Sequence, residues 1–575
     1  MNETNNAAFD DLCQRYWEFQ CDESPVSALL AGLPSAHDVL MRDAPADHER
    51  RARLAAGMLA ELRAFDPDTL SAQQHISARL LCRELELLVD AVAVKAHLRP
   101  MIYPLGPEAG LQFFAQSTAF GSVADARRYN ERLRHIPEAF EGLQASLQLG
   151  VAQGISMPKL VIERALAAVR GNASIPVEHS PFFSPFKRKS ADKLFDAEAQ
   201  ACQTILRETV VPTLLDYARF IESVLGEVAQ DSTACIDTPQ GREFYRHMVR
   251  EFTTLDDDPA DIHAFGLAEV ARLSAAMTDV ALSAGHATLA EFTTELKNDP
   301  AQFAPSGEAL RQQIEVLSKR IDGRMPEFFG RLPRMSYGVQ SIPEAVAAGM
   351  PPAYAQANPA DNSAAGIHWV TSLPDRCPAY MHIPLALHEA WPGHLMHLAL
   401  MQEMTELPAF RRHGAMRYSA CLEGWALYCE ALGEDLKLYD TPSKRYGRLE
   451  MEMWRAVRLV VDTGLHWLHW PREQAVQYML DHMAMPQATL EAEIDRYIGM
   501  PAQALGYQLG NRRFRELRER SQARLGERFS LRRFHDCLMA AGPVTLDVLS
   551  DVVDAWIADE ALNSSHPSTA AAAAA

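Results

Sequence analysis

The sequence predicts a mainly α-helical chain of two lobes with a small β element lining a cleft, and three observations carry that prediction. Apolar residues recur at three- and four-residue spacing, with strong helix formers between them, over 46–64, 72–95 and 192–228. The polar stretch 230–240 then interrupts the pattern, and a second helical series starts at Arg242. Between 334 and 371 proline and glycine become frequent, and the short runs 335–339 and 366–371 read as strands. The division that follows is an N-terminal helical lobe over 1–235, a second helical lobe over 236–562 and a low-complexity, alanine-rich tail over 563–575.

Two Pro- and aromatic-rich segments of the first lobe, 99–114 and 174–188, are expected as packed surface loops. In the second lobe Pro259 suits the first turn of a helix running through Met277, with further helices near 287–298 and 306–323. His368 to Thr371 is expected as an edge strand able to pair with an extended substrate.

The chain has 575 residues, 48% hydrophobic and 23% charged, an ordinary globular composition that can bury a large core. Asp and Glu outnumber Lys and Arg by 75 to 55, and the net charge of −20 with no basic run argues against a nucleic-acid partner. The first residues lack the cationic start and apolar core of a secretory signal, and no apolar run reaches the roughly 18 residues of a membrane span. The expectation is a cytoplasmic protein with no membrane partner. Its nine cysteines are scattered without a C-x-x-C pair and read as reduced core thiols. Nothing in the sequence marks Cys421 or Cys429 as an activated nucleophile.

The chemistry concentrates at His388-Glu389-Ala390-Trp391-Pro392-Gly393-His394, followed by His397, at the end of an apolar helix-compatible run. Buried ionisable groups must be paired or bound to a metal. The His-Glu pair is the first half of the pattern H-E-x-x-H, in which two histidines hold Zn²⁺ and the glutamate takes a proton from water. An α-helix turns about 100° per residue, so a second ligand belongs at i+4. That position is Pro392, and the next histidine stands at i+6, on the far side of an ideal helix. A kink or bulge at Pro392-Gly393 would bring His394 back towards His388. The other reading is a pair of capping or core-satisfied histidines on a broken helix.

Downstream, Glu423 and Glu430 lie seven residues apart on one face of an apolar helix, and a glutamate on a second helix is what a His₂Glu zinc site requires. Salt bridging to neighbouring helices is the alternative. Arg458, Asp462 and His466 form a polar stripe at i, i+4 and i+8, expected to orient ligands or contact substrate. Residues 495–510 place Arg496 and Tyr507 around a Pro-initiated helix, where either can steady an oxyanion.

HEAWPGH (388–394), EGWALYCE (423–430), VVDTGLH (460–466), RYIGMPAQALGYQLG (496–510) and LGERFSLRRFHDCLMAAG (525–542) together resemble the bacterial domain of unknown function 885 family. DIHAFGLAEVARLSAAM (261–277) fits as well, so the resemblance covers most of the chain. It implies a mostly helical, zinc-peptidase-like metalloprotein with His388, His394 and Glu423 as metal ligands and Glu389 as general base. The Pro-Gly before the second histidine belongs to the family pattern, whereas His397 departs from it, glutamine being expected there. The function expected is zinc-dependent hydrolysis of a peptide or small amide, with Tyr507 or Arg496 at the oxyanion and His466 contacting substrate. The alternatives are a metalloenzyme acting on a non-peptide amide or ester in specialised metabolism, or a non-catalytic binding protein of the same fold.

Overall fold

Helices take up 73% of the chain and strands 3% in the computed structural model, which describes residues 2–33, 40–360, 362 and 364–563. The alanine-rich tail expected over 563–575 lies outside these from residue 564 onward. Buried apolar residues from Phe9 to Ile557 form one contiguous cluster, so helices on both sides of residue 235 share a core.

The first helical series begins with α1 (Asn2–Glu23) and includes α2 (Ala72–Ala93), which opens on a reciprocal Ser71–Gln74 capping box. These two helices reach forward to the second half of the chain. Glu84 on α2 accepts hydrogen bonds from Tyr16 of α1 and from Tyr418, and Trp17 stacks on His413 with ring centroids 5.5 Å apart. Part of the first expected loop is helical, over Pro107–Ser117, because Gly106-Pro107 provides a start; the second is a chain of short turns over Val177–Lys187.

The second series contains α3 (Gly241–Thr253) and α4 (Pro259–Ser283), where the Asp258 side chain caps the Ala260 N–H and Pro259 occupies the first turn. A three-stranded sheet follows, formed by β1 (Tyr337–Ser341), β2 (Ala353–Gln356) and β3 (Gly366–Val370). Here the expectation for His368–Thr371 is corrected. Strand β3 is central, parallel to β1 and antiparallel to β2, so its backbone groups are already paired. The edge facing the cleft is β2, whose four residues, Ala-Tyr-Ala-Gln, are too few to show a pattern in the sequence.

Five helices complete the functional part: α5 (Ala379–Glu389), α6 (His394–Gln402), α7 (Ser419–Asp435), α8 (Pro442–Trp467) and α9 (Gln487–Gly499). A sixth, α10 (Gly506–Leu525), packs along α7. Helix α8 is 26 residues long and buried all round from Leu449 onward, so it acts as the central post of this half. Helices α7 and α10 approach so closely that a Cβ on Gly510 would lie 1.9 Å from the Ala420 carbonyl oxygen, and one on Gly424 would lie 2.5 Å from the backbone of Gly510.

This crossing yields a stability prediction. Gly510→Ala must push two backbones apart and is expected to cost at least about 1–3 kcal/mol, the usual range for overpacking. Gly57→Ala, in an open helical position with nothing within 4 Å of the added carbon, is expected to be neutral or to stabilise by about 0.5–1 kcal/mol. Chemical denaturation of the two variants beside the wild type checks the contrast; equal effects would refute the close-packing account.

Candidate metal centre

Helix α5 does not kink at Pro392-Gly393 but ends at Glu389, and α6 begins afresh at His394. Pro384 is accommodated within α5, and Ala390 leaves the helical region with φ −89° and ψ −135°. The Trp391–Pro392 peptide is cis, and Gly393 folds the chain back against the end of α5. A Cβ at Gly393 would stand 1.9 Å from the carbonyl oxygen of His388, so only glycine permits the fold-back. Trp425 of α7 holds the turn from the other side, its indole N–H donating to the Pro392 carbonyl at 2.9 Å.

The outcome is a close pair of imidazoles, ring centroids 4.8 Å apart and planes at 89°. Glu423 on α7 meets both, with its Oε2 3.5 Å from His388 Nε2 and 3.4 Å from His394 Nε2. The three donor atoms lie within 4.8 Å of one another. Those separations are long for hydrogen bonds. They match the roughly 3.4 Å between neighbouring ligand atoms of a tetrahedral ion with bonds of about 2.0–2.1 Å, so this donor set fits a divalent metal.

Glu430, one helical repeat along α7, takes the other nitrogen of His388. Its Oε1 lies 2.8 Å from Nδ1, and a carboxylate can only accept, so Nδ1 carries a proton and Nε2 is the atom turned towards Glu423. Arg455 of α8 supports Glu430 at 3.4 Å. Glu430 therefore orients His388, and Glu423 is the carboxylate on the side facing His394. Burial alone would depress the basicity of His388, but the carboxylates of Glu423 and Glu430 on either side raise its pKa to about 9, so without an ion both ring nitrogens are protonated near neutral pH. Glu423 is held below the ordinary carboxylate range because the two imidazoles outweigh its burial. His394 Nδ1 has no partner among the described residues.

A cavity of about 300 Å³ opens onto these groups, walled by Pro351, Pro352 and β2 on one side and by Met416, Leu422, Trp454, Arg458 and Tyr507 on the other. Glu389 also lines it. Its carboxyl is pushed up by burial, against the pull of His388 and His394. His397, in contrast, is buried with both ring nitrogens unpartnered among the described residues, edge-on to Trp425 at 6.0 Å. Burial, with His394 nearby, depresses its pKa to about 3, which keeps it a neutral core group.

Of the remaining expected site residues, the structure brings Tyr507 to the cavity but neither Arg496 nor His466. Arg496 is engaged by Glu493 at 3.0 Å and by Gln503 at 2.8 Å. His466 bridges two backbone segments: its Nδ1 accepts from Cys235 N–H at 3.3 Å and its Nε2 donates to the Tyr497 carbonyl at 2.9 Å. The stripe thus divides. Asp462 accepts from Tyr245 of α3 at 2.6 Å and from the Ala502 N–H, and only Arg458 reaches the cavity. Arg458 belonged to the stripe, but an i, i+4, i+8 pattern cannot say which members face open space.

Residues 25–553 match the family model described as Bacterial protein of unknown function (DUF885). The chain is a member of this DUF885 family. Its fold is also that of two solved structures. One, described as a "putative lipoprotein" from Colwellia psychrerythraea, is 26% identical with a TM-score of 0.91, over 97% of this chain and 100% of that one. The other, a "putative lipoprotein of unknown function" from Shewanella oneidensis, is 18% identical with a TM-score of 0.69, over 95% and 99%. Nothing among curated proteins matches the chain. Family membership is as the ordered motifs implied, and the DUF885 chain carries its His-Glu, Pro-Gly-His and Glu-Gly-Trp motifs around one cavity.

The bridging of His466 is testable by pH. Burial lowers its pKa to about 4, offset only in part by the Tyr497 carbonyl, while the unfolded chain takes up that proton near pH 6.5. The folded value is depressed, so the stabilisation is full above about pH 6.5 and is lost as pH falls towards 4. The advantage of wild type over His466→Gln in unfolding free energy is expected to shrink by on the order of 3 kcal/mol across that window. A pH-independent difference in denaturation midpoints would contradict the neutral bridge.

Proposed function

We propose that this DUF885 protein is a metal-dependent hydrolase of peptide or other amide bonds, with Zn²⁺ held by His388, His394 and Glu423. The observation that carries the reading is the orientation of His388. A buried carboxylate binds its Nδ1–H and turns its Nε2 towards Glu423 Oε2, which stands at tetrahedral-edge distance from both imidazoles. A simple core histidine pair has no need of a third acid placed in this way. The finer reading of the fold, two lobes meeting near residue 235 in the manner of zinc peptidases, goes with this proposal.

A divalent ion supplies Lewis-acid polarisation of a carbonyl and acidifies water. Glu389, which lines the cavity and has no side-chain hydrogen bond among the described residues, is the free carboxylate suited to take a proton. In the overall reaction water adds across the amide: a C–O bond forms, the C–N bond breaks, and the proton accepted by Glu389 passes to the departing amine. Tyr507, at the cavity wall with its hydroxyl 3.5 Å from Gln503 Nε2, is the group placed to donate to a developing oxyanion. Arg496 is too fully engaged by Glu493 for that task. All nine cysteines are free, which fits a reducing compartment and no thiol chemistry at this site.

The decisive pair of variants separates metal binding from chemistry. Glu423→Ala removes one of three ligands and is expected to lose zinc, measured as metal content after zinc supplementation. Glu389→Gln is expected to keep both metal and fold while losing about 10²–10⁴ in rate on whichever substrate a screen of quenched peptides and acylated amines yields. Full zinc occupancy in Glu423→Ala, or near-normal turnover in Glu389→Gln, would overturn the assignment.

A further inference from the structure

Arg458 is a guanidinium 5% exposed, lying between the rings of Trp454 and Tyr507 at 4.7 and 4.6 Å from their centroids. Its Nε donates to the Tyr497 hydroxyl at 2.9 Å and its Nη2 approaches Glu493 at 3.4 Å. Its Nη1 has no partner among the described residues, although the side chain lines the cavity. Glu493 is held more closely by Arg496, with contacts of 3.3 and 3.0 Å to its two oxygens. Two guanidinium groups thus share one carboxylate on this wall of the cavity, whose other lining acids are Glu389 and Glu423. The other cavity arginine, Arg455, meets Glu430 at 3.4 Å and the Met451 carbonyl, and its Nε is buried without a partner among the described residues. A guanidinium with an open donor beside a cavity is suited to receive an anion.

Resting on the hydrolytic reading of the His388–His394–Glu423 pocket, we infer that Arg458, flanked by Tyr507, binds a carboxylate of the substrate. The substrate class is then a small amide carrying a free carboxylate near the bond to be cleaved: the C-terminal residue of a short peptide, or an N-acylated amino acid. Cavity size points the same way, since about 300 Å³ stands at the lower end of the range for small-molecule sites, about 300–1,000 Å³. Arg458 orients the substrate, with the Tyr507 ring 4.6 Å from its guanidinium on the wall of the cavity that also holds Glu423. A planar guanidinium stacked between two rings is preorganised for carboxylate, because neither its plane nor its charge needs to change on binding.

The test is calorimetric titration of the full-length protein with matched probes, N-benzoylglycine against N-benzoylglycinamide, and N-acetyl-dialanine with a free or an amidated C-terminus. It is run on zinc-loaded Glu389→Gln protein and on chelator-treated wild type, so that neither turnover nor direct metal binding produces the signal. The free acids are expected to bind more tightly than the amides by roughly ten- to a hundredfold, the worth of a charge-assisted hydrogen bond. Arg458→Met is expected to lose that preference and Arg458→Lys to keep part of it. If Arg458→Met fails to fold, the acid-to-amide comparison in the other proteins decides by itself. Equal affinities, no binding of either member, or an undiminished preference in folded Arg458→Met would overturn the inference. Hydrolysis of amides regardless of a free carboxylate overturns it while leaving the hydrolase reading standing; acid selectivity without hydrolysis in any screen supports the anion site and counts against the hydrolase.

Discussion

An ionisable group buried in a helix interior has to find its partner on another element, and α8 applies that constraint six times over. Glu450, Glu452, Arg455, Arg458, Asp462 and His466 are all buried on this one helix. Each is satisfied from elsewhere: Glu450 by the Ala484 N–H, Glu452 by Arg272 of α4 and Arg515 of α10, and Arg455 by Glu430 of α7. Arg458 takes Tyr497 of α9, Asp462 takes Tyr245 of α3, and His466 ties the 235 turn to the end of α9. Removing one member of such a pair strands the other in low dielectric, at several kcal/mol. The post therefore fixes the placement of five helices. Two cations of the set line the cavity, and each keeps a nitrogen without a partner among the described residues, Nε of Arg455 and Nη1 of Arg458.

The same reasoning explains the asymmetry between the two histidines. His388 sits in the last turn of a helix whose residues Met381 to His388 are all buried, so a fixed tautomer needs a buried acceptor, and the chain of Arg455, Glu430 and His388 supplies one across three helices. His394 begins a helix instead. Its ring is positioned by backbone: the fold-back at Gly393 and the indole of Trp425 on the Pro392 carbonyl. One imidazole is oriented by its side-chain partner and the other by the chain that carries it.

Much of this was legible in the sequence. Helical periodicity over 46–64 and 72–95, and Pro259 opening a long helix, correspond to the helices Pro45–Arg63, Ala72–Ala93 and Pro259–Ser283. The His-Glu pair and Glu423 were readable as one constellation because side-chain chemistry at that spacing has few other uses. Arg496 and His466 were not resolved, for a physical reason. A polar side chain in an apolar helix signals that it is buried and paired, but whether its partner is backbone, another side chain or a ligand depends on helices far away in sequence. Tyr507 and Arg496 stand eleven residues apart in one motif, and only the turn before α10 decides that one reaches the cavity while the other is held by Glu493. Strand β2 was invisible for a different reason: at four residues, its pairing with β3 comes from the sheet.

The spacing of the two histidines is itself a consequence of chain geometry. In an uninterrupted helix, ligands four residues apart share a face because about 100° per residue nearly closes a turn. Ending the helix after Glu389 removes that relation, so the six-residue spacing needs another device to bring the rings to 4.8 Å. Contact between the Gly393 backbone and the His388 carbonyl is that device, and it has no tolerance for a side chain. An additional carbon at 393 would separate the ends of α5 and α6, and with them the two imidazoles. Glu423 cannot follow, because α7 is locked to α10 through Gly424 and Gly510 and to the turn through Trp425. The three side chains are therefore held on three sides, and packing of the chain itself keeps Glu423 Oε2 at 3.4–3.5 Å from both imidazoles.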